Sequence, residues 1–135
     1  PALTLTIPST AQKVITVGAY NAYVRSYAAF SGRGEAGNRG AENSKPDLAA
    51  PGVNIRIGEG ESGTMVSGTS YATPFVTAAA ALLMEYGIVQ GRDPFLYGEK
   101  VKAYLLAGAR QLPGYDIWPN DQMGWGALCV SQSLL

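Results

Sequence analysis

Ser70 is the residue whose type and setting could do covalent chemistry. It lies in Ser67-Gly68-Thr69-Ser70-Tyr71-Ala72-Thr73-Pro74, a small and polar stretch that passes directly into FVTAAAALLMEY. Between Pro74 and Met84 only Thr77 carries a polar group, a pattern that predicts a central helix apolar on every face and buried on every face, with Phe75, Val76, Leu82, Leu83 and Met84 in the core. The unbroken apolar run ends at Glu85, short of the roughly 20 residues a membrane span needs. In the first turn of such a helix, unpaired backbone N–H groups and the positive dipole end favour an anion. A nucleophilic Ser70 would there have its tetrahedral oxyanion stabilised in part by its own N–H.

A serine hydroxyl needs a base, and the chain has no histidine. Lys13, Lys45, Lys100 and Lys102 lie in segments that read as surface, which argues against a Ser-Lys pair.

The elements that must position Ser70 follow from periodicity and turn chemistry. Leu3, Leu5 and Ile7 alternate with polar residues as a half-buried strand. Residues 14–19 are small or β-branched throughout, as a parallel strand covered on both faces would be. Residues 26–30 and 53–57 read as strands, and 64–67 as the strand delivering Ser70 to a sheet edge. Residues 45–52, KPDLAAPG, carry two prolines and read as an extended turn tied together by Asp47. Thr69 or Ser70 can cap the long helix, and Gly87 should end it. Residues 99–109 form a helix with Val101, Tyr104, Leu105 and Ala109 as its buried stripe, and 125–134 a closing helix in which Cys129 packs. The loop 32–44 contains GRGEAG, but it opens no apolar helix and so is not a nucleotide fingerprint.

At 135 residues with 47% hydrophobic content the chain is one domain by length. Ten basic against ten acidic residues give no net charge, so nothing points to nucleic acid or an anionic membrane as partner. One cysteine excludes an intrachain disulfide. A chain opening on Pro1-Ala2-Leu3 says nothing of its compartment.

Gly68-Thr69-Ser70-Tyr71-Ala72-Thr73-Pro74 resembles the nucleophile motif of the subtilisin-like serine proteases. Val14-Ile15-Thr16-Val17-Gly18-Ala19, Lys45-Pro46-Asp47-Leu48-Ala49-Ala50-Pro51-Gly52 and Gly124-Trp125-Gly126-Ala127-Leu128 are similar to three further family segments, in order and over roughly residues 13–135. The ALLMEYGI and GEKVKAYL segments look most like the clostridial subtilases, including the germination-specific group.

The resemblance implies an α/β fold: the C-terminal portion of a parallel-sheet, three-layer fold around a buried helix, with residues 1–135 a partial catalytic domain. It implies a serine endopeptidase in which Ser70 is the catalytic nucleophile, while Ser67, Gly68 and Thr69 belong to the oxyanion and substrate cleft. Family order is Asp, His, Ser. The Asp, the His and the oxyanion Asn are therefore expected upstream, and the chain alone is expected to be inactive. The partners implied are a polypeptide substrate and that upstream part of the domain, with self-association of the isolated chain; no nucleic acid, no membrane and no cofactor are expected. Subtilisins can hold a weak cation near the KPDLAAPG segment, but Lys45 beside Asp47 argues against a metal here. A secreted, envelope or spore setting is implied over the cytoplasm. The alternative is a pseudoprotease or binding domain on the same fold.

Overall fold

The computed structural model describes residues 3–34 and 44–134; most of the glycine-rich loop, 35–43, lies outside the described residues. Strand β1 (Val17–Asn21) pairs in parallel with β3 (Leu48–Pro51), and β2 (Ser26–Tyr27) adds antiparallel on the other side, giving the order β2-β1-β3. The register sets Val17 opposite Leu48 and Tyr20 opposite Pro51. Within residues 45–52, Leu48–Pro51 is thus a strand rather than part of a turn. The prolines mislead because they flank the element, Pro46 before it and Pro51 closing it.

Leu3, Leu5 and Ile7 form no strand. The Thr4 N–H donates to Arg33 O at 2.9 Å and the Arg33 N–H to Thr4 Oγ1 at 2.7 Å, but Ile7 is 90% exposed. Alternation predicts a strand only where a ladder runs alongside it, and here the contact is a single residue long. β4 (Ile55–Ile57) and β5 (Thr64–Val66) pair antiparallel around a 3₁₀ turn, Gly60–Ser62, as a separate two-stranded sheet, so β5 does not end at the edge of the parallel one.

Helix α1 (Thr69–Met84) packs on both β1 and β3. It continues through a π turn, Glu85–Val89, that buries Gly87 against Leu96, and the chain leaves the helix at Gly91 with φ +72°. Gly87 is therefore a close-packing residue and not a C-cap. Helix α2 (Glu99–Ala107) buries Val101 and Leu105 and packs on α1. The closing helix is short, α3 (Val130–Ser133), with Cys129 at its N-cap beside Ser131 and only partly buried. Residues 124–128 instead run along the outer side of β3: the Ala49 N–H donates to Gly126 O at 2.9 Å and the Leu128 N–H to Ala49 O at 2.8 Å. Gly124 makes this approach feasible. It has φ +59°, and a Cβ there would stand 2.2 Å from Pro46 O. Tyr20, Ala49, Leu112, Met123 and Ala127 cover the sheet together, with Tyr115 and Trp118 against them.

α1 departs from the sequence expectation in one respect. Ala72, Val76, Ala79 and Leu83 are buried, whereas Phe75, Leu82 and Met84 are 42%, 50% and 39% exposed. The two strands and α2 cover one side of the helix, and no described element covers the other. With its π turn the rod runs Thr69–Val89, 21 residues with an 18-residue window of mean hydropathy 1.4, so by length and composition alone it is long and apolar enough to cross a bilayer. Burial of its Ala72-to-Leu83 face on a sheet gives those apolar residues a place in a folded core. Leu83→Ala should cost this chain about 2–5 kcal/mol in chemical denaturation, against less than about 1 kcal/mol for Leu82→Ala on the open side.

Candidate active site

The turn before Ser70 hangs from the C-terminal ends of the two parallel strands. The Gly52 N–H donates to Tyr20 O at 3.0 Å, and the Gly68 N–H donates to Gly52 O at 2.8 Å. Ser67 Oγ accepts from the Asn54 N–H at 2.9 Å, fastening the end of the hairpin to the same point. Gly68, not Thr69 or Ser70, is the N-cap of α1, with φ +154° and ψ 157° and no side-chain cap. That backbone conformation is open to glycine and strained for other residues. Gly68 O accepts from the N–H groups of Tyr71 and Ala72 at 3.1 and 3.3 Å, so those of Thr69 and Ser70 precede the first intrahelical bond. The Ser70 side chain is exposed. A nucleophile there has unpaired main-chain donors and the positive helix end beside it.

Ser70 borders a cavity of 290 Å³ lined by Pro8, Ser9, residues 14–17, Thr69 and Thr73. A second cavity of 380 Å³ shares Ser9, Thr16, Val17 and Thr69 and extends along Phe30 and Ser31. Of the residues singled out from sequence, Thr69 and Ser70 line the first cavity together. Gly68 shapes the turn, and Ser67 is engaged with Asn54 away from that lining. Ser9 and Thr16 were not legible as site residues. Their only sequence signal is a polar pair flanking a β-branched strand, which many loops share. Neither cavity is lined by a titratable side chain.

Two lysines that read as surface prove partly buried. Lys45 and Lys102 side chains are 9% and 15% exposed, and both ammonium groups bind Asp47: Lys45 Nζ lies 2.6 Å from Oδ2 and Lys102 Nζ 2.7 Å from Oδ1. Asp47 Oδ2 also accepts the Thr16 N–H at 2.6 Å. Asp47 therefore does not tie together its own turn, as expected from sequence; it fastens its segment to the one before β1, 31 residues away. Burial pushes the Lys45 ammonium below its ordinary pKa, against the upward pull of Asp47. Lys13 and Lys100 stay exposed, at 88% and 44%.

A sheet with a parallel strand pair, a helix packed across it and a serine at that helix's first turn make up an α/β protein of the kind that carries a nucleophile where strands end. The sequence model of the subtilase family, peptidase S8, matches residues 1–126, and the chain belongs to that family. It is 44% identical to the CspB protease of Clostridium perfringens, with a TM-score of 0.87 over 97% of this chain and 27% of that one, in line with the clostridial resemblance. It is also similar to the prenylagaramide maturation protease PagA (29% identity, TM-score 0.73, 96% of this chain and 44% of that one). Serine protease AprX of Bacillus subtilis is 35% identical over 97% of this chain. The chain spans 32% of the length of that relative.

Asp47 gives a direct test of the buried charges. Asp47→Ala leaves two partly buried ammonium groups without their carboxylate and should cost about 2–4 kcal/mol in denaturant unfolding, whereas Lys13→Ala on the exposed Lys13–Glu99 pair should cost less than about 1 kcal/mol.

Proposed function

We propose that this chain is the C-terminal part of a subtilase catalytic domain and carries the nucleophile of a serine endopeptidase. The observation that carries the reading is the exposed Ser70 at the head of α1, with main-chain donors unpaired beside it and a cavity at its flank. In the reaction, Ser70 Oγ attacks the carbonyl carbon of the scissile peptide and its proton passes to a base. The oxyanion takes a hydrogen bond from the Ser70 N–H, the amine product leaves with the proton, and water releases the acyl group from Oγ. Thr69 borders the same space, and the 290 Å³ cavity receives a side chain of a polypeptide substrate. Gly68 and Ser67 hold the turn that forms this edge of the cleft.

The base, its acid partner and the oxyanion asparagine come from the remainder of the domain. Two features support such a complement. Val17 turns its N–H and C=O to the side of β1 on which Ala19 meets Ser31 Oγ and Ala28, yet it has no hydrogen-bond partner on that side among the described residues. The uncovered face of α1, with Pro74, Ala78, Ala81, Leu82 and Met84 beside Thr77, is largely apolar and is headed by Ser70 itself. An open strand edge beside an apolar helix face calls for packed protein on both. A place outside the cytoplasm fits this reading; among the solved relatives, MycP1 is a component of the type VII (ESX-1) secretion system.

In subtilisin itself, loss of the serine or the histidine lowers turnover by about 10⁶-fold, a value known for that enzyme. The complete protein should therefore label at Ser70 with a fluorophosphonate and hydrolyse peptides, and Ser70→Ala should abolish both. The isolated 135 residues should do neither. Hydrolysis that survives Ser70→Ala, or a complete protein that folds and never labels, would overturn the reading in favour of a binding role.

A further inference from the structure

The two strands of the β4–β5 hairpin part at the foot of the Ser70 turn. Ile55 faces Val66 in the last pair of the ladder, and the next residue on each side leaves it. Asn54 has φ +53°, a left-handed conformation that asparagine tolerates and most residues do not. It turns its N–H onto Ser67 Oγ at 2.9 Å. The Gly68 N–H turns to Gly52 O at 2.8 Å, and α1 begins without a side-chain cap. Helices ordinarily fill their first N–H groups with a serine, threonine, asparagine or aspartate oxygen. Ser67 carries the hydroxyl placed to do so. Serine oxygens accept from main-chain N–H groups two or three residues on, and here those belong to Thr69 and Ser70. In this structure the oxygen is held by Asn54 instead.

We propose that the Asn54 N–H guards the oxyanion donors: by holding Ser67 Oγ, it keeps that oxygen from accepting from the Thr69 and Ser70 N–H groups, which stay open for the substrate. Ser67 is then a built-in competitor of the oxyanion, and Asn54 is a positioning residue that acts through it. The competitor is neutral and the oxyanion charged, so the oxyanion makes the stronger bond. The hydroxyl, however, is already tethered beside the donors and needs no second molecule to be ordered. Releasing it lowers kcat rather than raising KM, because the donors act on the charge that develops in the transition state. The kinetic part of this proposal rests on the endopeptidase reading; the exchange of hydrogen-bond partners does not.

The test uses the complete protein with Asn54→Val, Ser67→Ala and the two combined. Valine is strained in the left-handed conformation and swings the residue 54 N–H away from Ser67. On a peptide substrate, Asn54→Val should lower kcat about thirtyfold with KM within about threefold of the parent, short of what loss of a whole oxyanion donor costs. Ser67→Ala should lower kcat only about threefold, and the double variant should match it, since no hydroxyl remains to intrude. Rates are taken per site titrated with a fluorophosphonate, so a misfolded fraction does not count. Amide hydrogen exchange gives a readout independent of catalysis. The Thr69 and Ser70 amides should exchange more slowly in Asn54→Val than in the parent, and fast again in the double variant. A turn merely loosened by substitution would exchange faster in both. Faster or unchanged exchange at Thr69 and Ser70 in Asn54→Val, or a double variant no more active than Asn54→Val, would overturn the proposal. If the parent protein neither labels nor hydrolyses peptides, the endopeptidase reading fails and the exchange data alone decide whether Ser67 is held off. Should Asn54→Val not fold, Asn54→Ala takes its place beside Asn54→Gly, which adopts the left-handed conformation freely. Alanine should then slow exchange at Thr69 and Ser70 and glycine should not; equal exchange in the two would sink the idea.

Discussion

Everything in this structure depends on how closely α1 lies against the β1–β3 pair. Ala19, Ala50, Ala72 and Ala79 lie in that interface at 0–1% exposure, in one core with the larger Leu48, Val76 and Leu83. Gly52 is the tightest point. A Cβ on it would stand 2.6 Å from the Ala19 Cβ and 3.0 Å from Gly68 O, so the main chain after β3 and the turn before α1 touch only because Gly52 carries no side chain. Interiors this dense transmit displacement rather than absorb it. The position of Ser70 is therefore fixed by alanines and a glycine that perform no chemistry, and the hydrogen bond from Gly68 to Gly52 O records that fixation.

The charge cluster at Asp47 does the same work at the other end of β1. Burying two ammonium groups with one carboxylate is unfavourable unless the remaining N–H bonds are satisfied, and here main-chain carbonyls satisfy them. Such an arrangement contributes little to overall stability compared with an apolar core of the same volume. It does select one path for residues 11–16, because only one path presents the carbonyls of Gln12 and Val14 to Lys102. A segment without a ladder has been given a unique conformation by charge.

What could be read in the sequence divides along a physical line. The helix carrying Ser70 was legible because apolar residues without interruption and a glycine-serine turn are local signals, and α2 because its stripe repeats at helical spacing. β3 was hidden by the prolines at its ends, since a turn and a parallel strand of four residues look alike when the partner strand is 31 residues away. The strand expected at Leu3, Leu5 and Ile7 failed for the converse reason: alternation states a preference, and only a neighbour can meet it. Lys45 and Lys102 were misread because charge in a sequence signals surface unless its counter-charge is known, and Asp47 reaches Lys102 across 55 residues by position number. Ser9 and Thr16 carry no distinguishing signal at all; their relevance arises from the cavity, not from their types.

The half-covered α1 then bears on how the site works. Pro74, Thr77, Ala81 and Met84 follow Ser70 at steps of three and four residues, so one stripe of the helix surface runs from the nucleophile to the helix end, opposite Ala72, Val76, Ala79 and Leu83. Any element that packs along this stripe brings one of its ends next to Ser70. Under the proposed reading, the apolar association that completes the domain and the delivery of a proton acceptor to the serine are then a single event. Its driving force is the burial of Leu82, Met84 and Phe75, at about 25 cal/mol for each square ångström of apolar surface removed from water. Chemistry at Ser70 needs no separate device to wait for the rest of the domain, because an uncovered helix is also an unassisted serine.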